Sequence, residues 1–346
     1  MTIVGCDFHP GWQQVAVFDE ATGEIQELKL VNADGEAERF YRRLTAPALV
    51  GFEACGNTQW FEDLLDRLGH EVWIGDAAAI RASYVRKQKT DRRDAAHILK
   101  LLMENRFPRL WRPSADERDL RQLLIHRHRM VGIRIRVKNG LHHLMLNKGV
   151  QMKRKLWSEA GQQGLRELPL EGWAAQRRKD LLQLLGSLNT QIAELDEAVK
   201  SAAQGNERAR LLMTQPGVGP ITSLAYVVTI GDVSRFPRGK QVASYLGLIP
   251  SEHSSSNRRR LGSISKQGNS FMRMLLVESA QTVNRLDEGF RKQYKHRCHH
   301  MAKGVAKVAA ARRLAVRLYW MLRTNTAYPE IARIESSPRD GVVGES

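Results

Sequence analysis

Three β-prone runs at the very start of the chain narrow its fold more than any other feature. TIVGCDF, QQVAVFD and EIQELKLV lie within residues 2–31 and are separated by HPGW and EATGE. Both spacers hold turn-forming residues, so the runs read as three antiparallel strands joined by hairpins. DGEAERFYRRL then reads as a helix, ALVGFEA as a buried strand, TQWFEDLLDRLG as a helix and HEVWIGD as a strand. Three antiparallel strands followed by alternating helices and strands describe an α/β domain with a mixed sheet.

From about Lys89 the pattern turns helical. DRRDAAHILKLLMEN places Ala95, Ile98, Leu99 and Leu102 at three- and four-residue spacing. Pro108 and Pro113 punctuate, and Ser114 with Glu117 three residues on forms a capping-box pattern at the head of a long basic helix. A second helical stretch sets Leu181, Leu184, Leu185, Leu188, Ile192 and Leu195 on one stripe, as either a helical hairpin or a dimerising coiled coil. Further on, Pro216-Gly217-Val218-Gly219 between two apolar stretches has the helix-hairpin-helix pattern. Its glycines would let backbone N–H groups face a phosphate at a helix N-terminus. The Ser/Pro/Gly/Glu-rich end after Glu330 is expected to be a disordered tail. The expected division is a catalytic domain over 1–105, a helical linker over 106–205, a mainly helical C-terminal domain over 206–330, and the tail over 331–346.

The chain carries a formal net charge of +17 over 346 residues, which points to a polyanionic partner, nucleic acid above all. The charge is divided unevenly. Residues 1–80 hold five Lys/Arg against fourteen Asp/Glu, a net of −9, so the remainder carries +26. Carboxylate chemistry first and polyanion gripping afterwards is the simplest division of labour. The three cysteines, Cys6, Cys55 and Cys298, include no CxxC, which suggests a reducing, cytoplasmic compartment. No signal-peptide pattern and no membrane-length apolar run are visible.

Four acids stand out. Asp7 closes the first strand, Glu53 closes ALVGFE, and Asp91 and Asp94 lie three apart at the start of a helix. The strand order of an RNase H-like sheet makes the first and fourth strands neighbours, which would bring Asp7 beside Glu53. A nearby helix would then present Asp91 and Asp94 to the same spot. Four hard oxygen donors suit one or two Mg²⁺ ions that polarise a phosphodiester. The plainer reading of Asp91 and Asp94, that they favour a helix N-terminus, leaves Asp7 and Glu53 unexplained. The histidines His126, His128, His142, His143, His296, His299 and His300 lack the spacing of a zinc site.

Several motifs together, VGCDFH, GFEACGNTQWFEDLL, RKQKTDRRDAAHIL, PGVGPITS, ASYLGLIPSEHSSS and GSISKQGN, resemble those of the DEDD transposases of bacterial insertion sequences, the IS110 family. The resemblance runs from about residue 2 to residue 325. It implies a RuvC-like N-terminal domain of RNase H fold, with Asp7, Glu53, Asp91 and Asp94 as a Mg²⁺-binding tetrad. It also implies a helical region used in oligomerisation, to a dimer or tetramer, and a C-terminal domain holding an essential serine. Family members resemble recombinases that join donor and target DNA. The resemblance further implies a structured non-coding (bridge) RNA that pairs with both DNAs and leaves shape and backbone to the protein. The family serine follows GLxP by five residues, which selects Ser255 here; Ser256 stands where glycine is usual, and a shift of one residue would select Ser254 or Ser256. Arg258, Arg259, Arg260 and Lys266 are the expected phosphate clamps, joined by Arg86, Lys87, Lys89 and the Gly217 and Gly219 backbone. Two other readings are a junction-resolving endonuclease that activates water, and a non-catalytic nucleic-acid-binding protein.

Overall fold

The computed structural model describes residues 1–84, 90–151, 156–252 and 260–336. They divide into two compact units, Met1–Arg112 and the chain from Pro113 onward.

The first unit is built on a five-stranded sheet. Its strands are β1 (Thr2–Phe8), β2 (Trp12–Asp19), β3 (Ile25–Val31), β4 (Leu49–Glu53) and β5 (Glu71–Gly75), in the spatial order β3-β2-β1-β4-β5. β1 and β2 pair antiparallel, as do β2 and β3, while β1–β4 and β4–β5 are parallel. This is the order that the RNase H-like reading requires. Helices α1 (Glu36–Arg43) and α2 (Gln59–Arg67) connect the later strands, and α3 (Ala77–Ala82) and α4 (Asp91–Met103) follow them.

Alternation along each strand sends side chains to opposite faces. Val4, Cys6, Phe8, Val50 and Phe52 pack on one face with Tyr41, Phe61 and Leu65 from α1 and α2. Ile3, Ala16 and Leu49 pack on the other with Ala95, Ile98, Leu99 and Leu102 of α4. The second face has a flat seat at its centre, because Gly5 pairs with Ala16 on one side and with Gly51 on the other. A Cβ on Gly5 would stand 2.4 Å from Leu99 N and 2.5 Å from Ala95 O, and one on Gly51 would stand 2.7 Å from Leu102 Cδ1. The backbone of α4 therefore lies directly on β1, at a distance only glycine permits.

The second unit is almost wholly helical. Its helices are α5 (Ala115–Leu146), α6 (Glu159–Glu167), α7 (Gly172–Gly205), α8 (Glu207–Met213), α9 (Pro220–Ile230), α10 (Gly239–Tyr245), α11 (Ser270–Leu286), α12 (Glu288–His300), α13 (Lys303–Thr324) and α14 (Glu330–Ser336). A hairpin of β6 (Pro250–Glu252) and β7 (Leu261–Ile264) interrupts them. The capping box expected at α5 is present: Ser114 Oγ accepts from Glu117 N at 3.1 Å, and Glu117 Oε2 accepts from Ser114 N at 3.0 Å. α5 and α7 pack on each other within the chain through Val137, Leu141, Met145, Leu185 and Leu188, so the hairpin alternative describes them. Leu184 departs from the expected stripe. It lies on the flank of α7 and is 43% exposed, while Leu185, Leu188 and Ile192 are buried. A larger core joins α8 to α14, and Ile331 is buried in it, so composition assigned residues 331–336 wrongly to a tail. Residues 337–346 lie outside the described residues. Among the described residues, no helix is long and apolar enough to cross a membrane.

Candidate active site

The acids of the first unit are positioned by sheet register and by the glycine seat. The last parallel rung between β1 and β4 is Cys6↔Phe52, so Asp7 and Glu53 are each the next residue on adjoining strands. Asp7 shares its face with Ile3 and Gly5, and Glu53 shares its face with Leu49 and Gly51, which is the face that carries α4. α4 runs antiparallel to β1. Ala95 and Leu99 sit over Gly5, and one turn earlier Asp91 reaches the level of Asp7. The Thr90 side chain caps this helix by accepting from Arg93 N. Asp94, on the same first turn, is buried, and its Oδ1 accepts from the Tyr84 hydroxyl at 2.6 Å.

The electrostatics agree with this convergence. Burial pushes the Asp7 carboxyl above its ordinary range; His9 opposes the rise, and the neighbouring Asp94 and Asp91 add to it. The Tyr84 hydroxyl is pushed up by burial, by its bond to Asp94, and by the charges of Asp94, Asp7 and Glu53. It therefore stays a donor at neutral pH, and three of the four acids act on it together. Carboxylates gathered in this way repel one another unless a cation joins them. Their donor set, all oxygen and partly exposed, fits a divalent cation.

Two residues at this site went unassigned in the sequence. His9 Nε2 lies 3.2 Å from Asp7 Oδ2, and the donor atoms of Asp7, His9 and Asp91 all fall within 4.8 Å of one another. Its signal was present, because period-two alternation puts residue 9 on the face of Asp7. Tyr84 had none, since RASYVRKQKT carries no periodicity. Tyr84 also stacks on His97 at 4.0 Å, and His97 Nε2 lies 2.7 Å from Ser83 Oγ. That Ser–His pair is not a nucleophile and its base. Ser83 Oγ donates to Ile80 O at 2.7 Å, so it accepts from His97 and closes the end of α3.

In the second unit the register Glu252↔Leu261 holds together the two ends of the stretch that includes Ser255. Ser254, Ser255, Ser256, Arg258 and Arg259 lie outside the described residues, as do Arg86, Lys87 and Lys89. Arg260 directly precedes β7, and exposed Lys266 follows it. The base of this hairpin is closely fitted. Gly247, at φ +65°, leaves no room for a Cβ, which would meet Gln267 O at 2.2 Å, and Arg273 Nη1 donates to Leu246 O at 3.2 Å and to Gln267 O. Gly217 is packed, with a Cβ position 2.9 Å from Val283 N, whereas Gly219 precedes α9 in open space.

Comparison with known proteins places these features in context. A family model described as a transposase, of the DEDD type of IS110, matches residues 4–148. A second, described as the transposase IS116/IS110/IS902 family, matches residues 209–295. A probable family 20 transposase of Pseudomonas aeruginosa is 30% identical over 253 residues, spanning 71% of this chain and 74% of that protein. The transposase for insertion sequence element IS1111A of Coxiella burnetii is 29% identical, over 68% of this chain and 66% of its own length. The transposase for insertion sequence element IS1328 of Yersinia enterocolitica is 27% identical, over 80% of this chain and 84% of its own.

Proposed function

Because the chain belongs to the IS116/IS110/IS902 family of insertion-sequence transposases, we propose that it cuts and rejoins donor and target DNA through a covalent phosphoserine link, guided by a structured RNA. What supports the reading most is the placement of Asp7 and Glu53 at the ends of adjoining strands, with Gly5 seating the helix that brings Asp91 close to Asp7 and carries Asp94.

Ser255 Oγ attacks a backbone phosphorus, the Oγ–P bond forms, and the bond to one deoxyribose oxygen breaks. The serine proton is withdrawn as Oγ attacks, and the departing oxygen takes up a proton. An incoming strand's hydroxyl then attacks the same phosphorus and restores the serine. Bond number is conserved through both steps, so strands exchange without a nucleotide fuel. A serine hydroxyl is a weak nucleophile until a base or cation acts on it, and a Mg²⁺ held by the four acids would supply polarisation of a phosphodiester.

The chain's own residues do the rest. Arg258, Arg259, Arg260 and Lys266 hold the phosphate and offset its developing charge. The +26 net charge beyond residue 80 grips nucleic-acid backbone, including through Arg86, Lys87 and Lys89, while base pairing in the RNA chooses the sequence. The α5–α7 hairpin is the element we assign to self-association, and the Gly219 turn before α9 to a phosphate contact. The test is strand joining by the full chain with donor, target and guide RNA. Joining should stop with a chelator and resume on adding Mg²⁺; joining that continues in chelator would overturn the reading.

A further inference from the structure

We propose that His9 is a nitrogen ligand to the same divalent cation as Asp7 and Asp91, which makes this centre a mixed nitrogen–oxygen site rather than an all-carboxylate one. The inference rests on reading the acids as a cation site.

The first support is distance. Two donors about 2.1 Å from one ion stand about 3.0 Å apart when adjacent and about 4.2 Å when opposite. His9 Nε2 and Asp7 Oδ2, at 3.2 Å, match an adjacent pair. The whole Asp7–His9–Asp91 triangle, within 4.8 Å, closes on one ion with a movement of under about 1 Å, given those bond lengths.

The second support is that the imidazole is held in place. Its ring stacks on Trp12 with centroids 4.1 Å apart and planes at 20°, and Lys29 Nζ lies 4.3 Å from the Trp12 ring. The backbone beneath it is fixed on both sides: His9 N donates to Trp12 O at 2.9 Å, and Asn32 Nδ2 donates to His9 O at 2.9 Å and to Pro10 O at 3.0 Å. Asn32 is held in turn by Gln13, whose Nε2 donates to Asn32 Oδ1 at 3.0 Å. Gln13 is fully buried and receives the Tyr41 hydroxyl at 2.9 Å. A relay of side chains thus runs from the core to the turn that carries His9. His9 is thereby held in one place, as outer contacts hold the ligands of metal sites.

The competing role is a simple hydrogen bond from Nε2–H to Asp7. The two roles differ in whether the ring nitrogen touches the ion. A ligand lost costs affinity, and an outer-sphere donor lost can cost affinity too, so direct nitrogen coupling to the bound ion separates them. Imidazole also favours manganese over magnesium, which prefers oxygen. His9→Gln should therefore weaken Mn²⁺ binding about 10-fold or more, the scale at which even outer-sphere supports of metal sites act, and change Mg²⁺ binding little.

The experiment adds one equivalent of Mn²⁺ to the full chain, measures affinity by titration, and records pulsed electron paramagnetic resonance. The bound ion should show coupling to a directly coordinated ¹⁴N. The coupling should vanish in His9→Gln, and Asp7→Asn should abolish the site. If Mn²⁺ binds in an Asp7-dependent way without nitrogen coupling, or if the coupling survives His9→Gln, His9 ligation is overturned and the cation site stands. If Mn²⁺ does not bind, or Asp7→Asn binds it as well as the parent chain, the cation-site reading falls too. The thermal transition of His9→Gln, expected unchanged, shows that the variant is folded.

Discussion

Asp7→Asn should lower strand joining by about 10³-fold, the size of loss seen when one preorganised charge-stabilising group is removed, and it should do so without unfolding the protein. Asparagine keeps the shape of the side chain and removes only the charge. Asp7 is the acid with neighbours on every side: Glu53 on the next strand, Asp91 and Asp94 above, His9 two residues on. Its carboxyl is held above the ordinary range, first by burial and then, against His9, by Asp94 and Asp91. A raised carboxyl pKa in the fold means that ionised Asp7 opposes folding at neutral pH. The melting temperature of Asp7→Asn, measured without added cation, should therefore stay the same or rise. Loss of joining with equal or higher stability would mark a functional charge. Loss of both together would contradict the assignment.

Arg317→Met should cost the second unit about 3–5 kcal/mol, because it strands a buried acid. Arg317 on α13 and Asp287 at the head of α12 have side chains 2% and 5% exposed and meet at 2.6 Å. Arg317 Nη1 also donates to Gln215 Oε1 at 3.2 Å, and its guanidinium lies 4.4 Å from the Phe290 ring centre. Burial pushes the Asp287 carboxyl up, but the Phe290 N–H and Arg317 outweigh it and hold the group below the ordinary carboxylate range. A depressed carboxyl contributes stability that is present above its unfolded pKa of about 3.9 and is lost as pH falls through the lower folded value. Without Arg317 only the Phe290 N–H and the charge of Arg313 still oppose burial, so the ionised Asp287 carboxyl is held less well. Denaturant unfolding of both chains should show the gap widest at neutral pH and narrowing on acidification. A midpoint that Arg317→Met leaves unmoved at pH 7 would contradict this.

The sheet and its acids were legible because each rests on local pattern. Alternation marked the strands, turn residues joined the first three, and an acid closing an apolar strand has few solubility reasons to be there. The Ser114–Glu117 box was legible for the same reason, with both partners inside one helical turn. What the pattern did not carry was packing. Gly5 and Gly51 looked like two small residues in two strands, and only their register shows that they form one seat for α4. His9 was within reach of the period-two rule but lay past the end of the apolar run. Tyr84, the Asp287–Arg317 pair and the burial of Ile331 depend on contacts between distant parts of the chain. Leu184 was misplaced because a stripe of leucines is wider than the face that a partner helix covers.

Mass spectrometry of the reaction, run with donor, target and guide RNA and then denatured and digested, should find a nucleotide covalently attached to Ser255 and no protein–DNA adduct from Ser255→Ala, as the proposed phosphoserine link requires. Strand cleavage that leaves free ends and no adduct, or an adduct that survives Ser255→Ala, would contradict it.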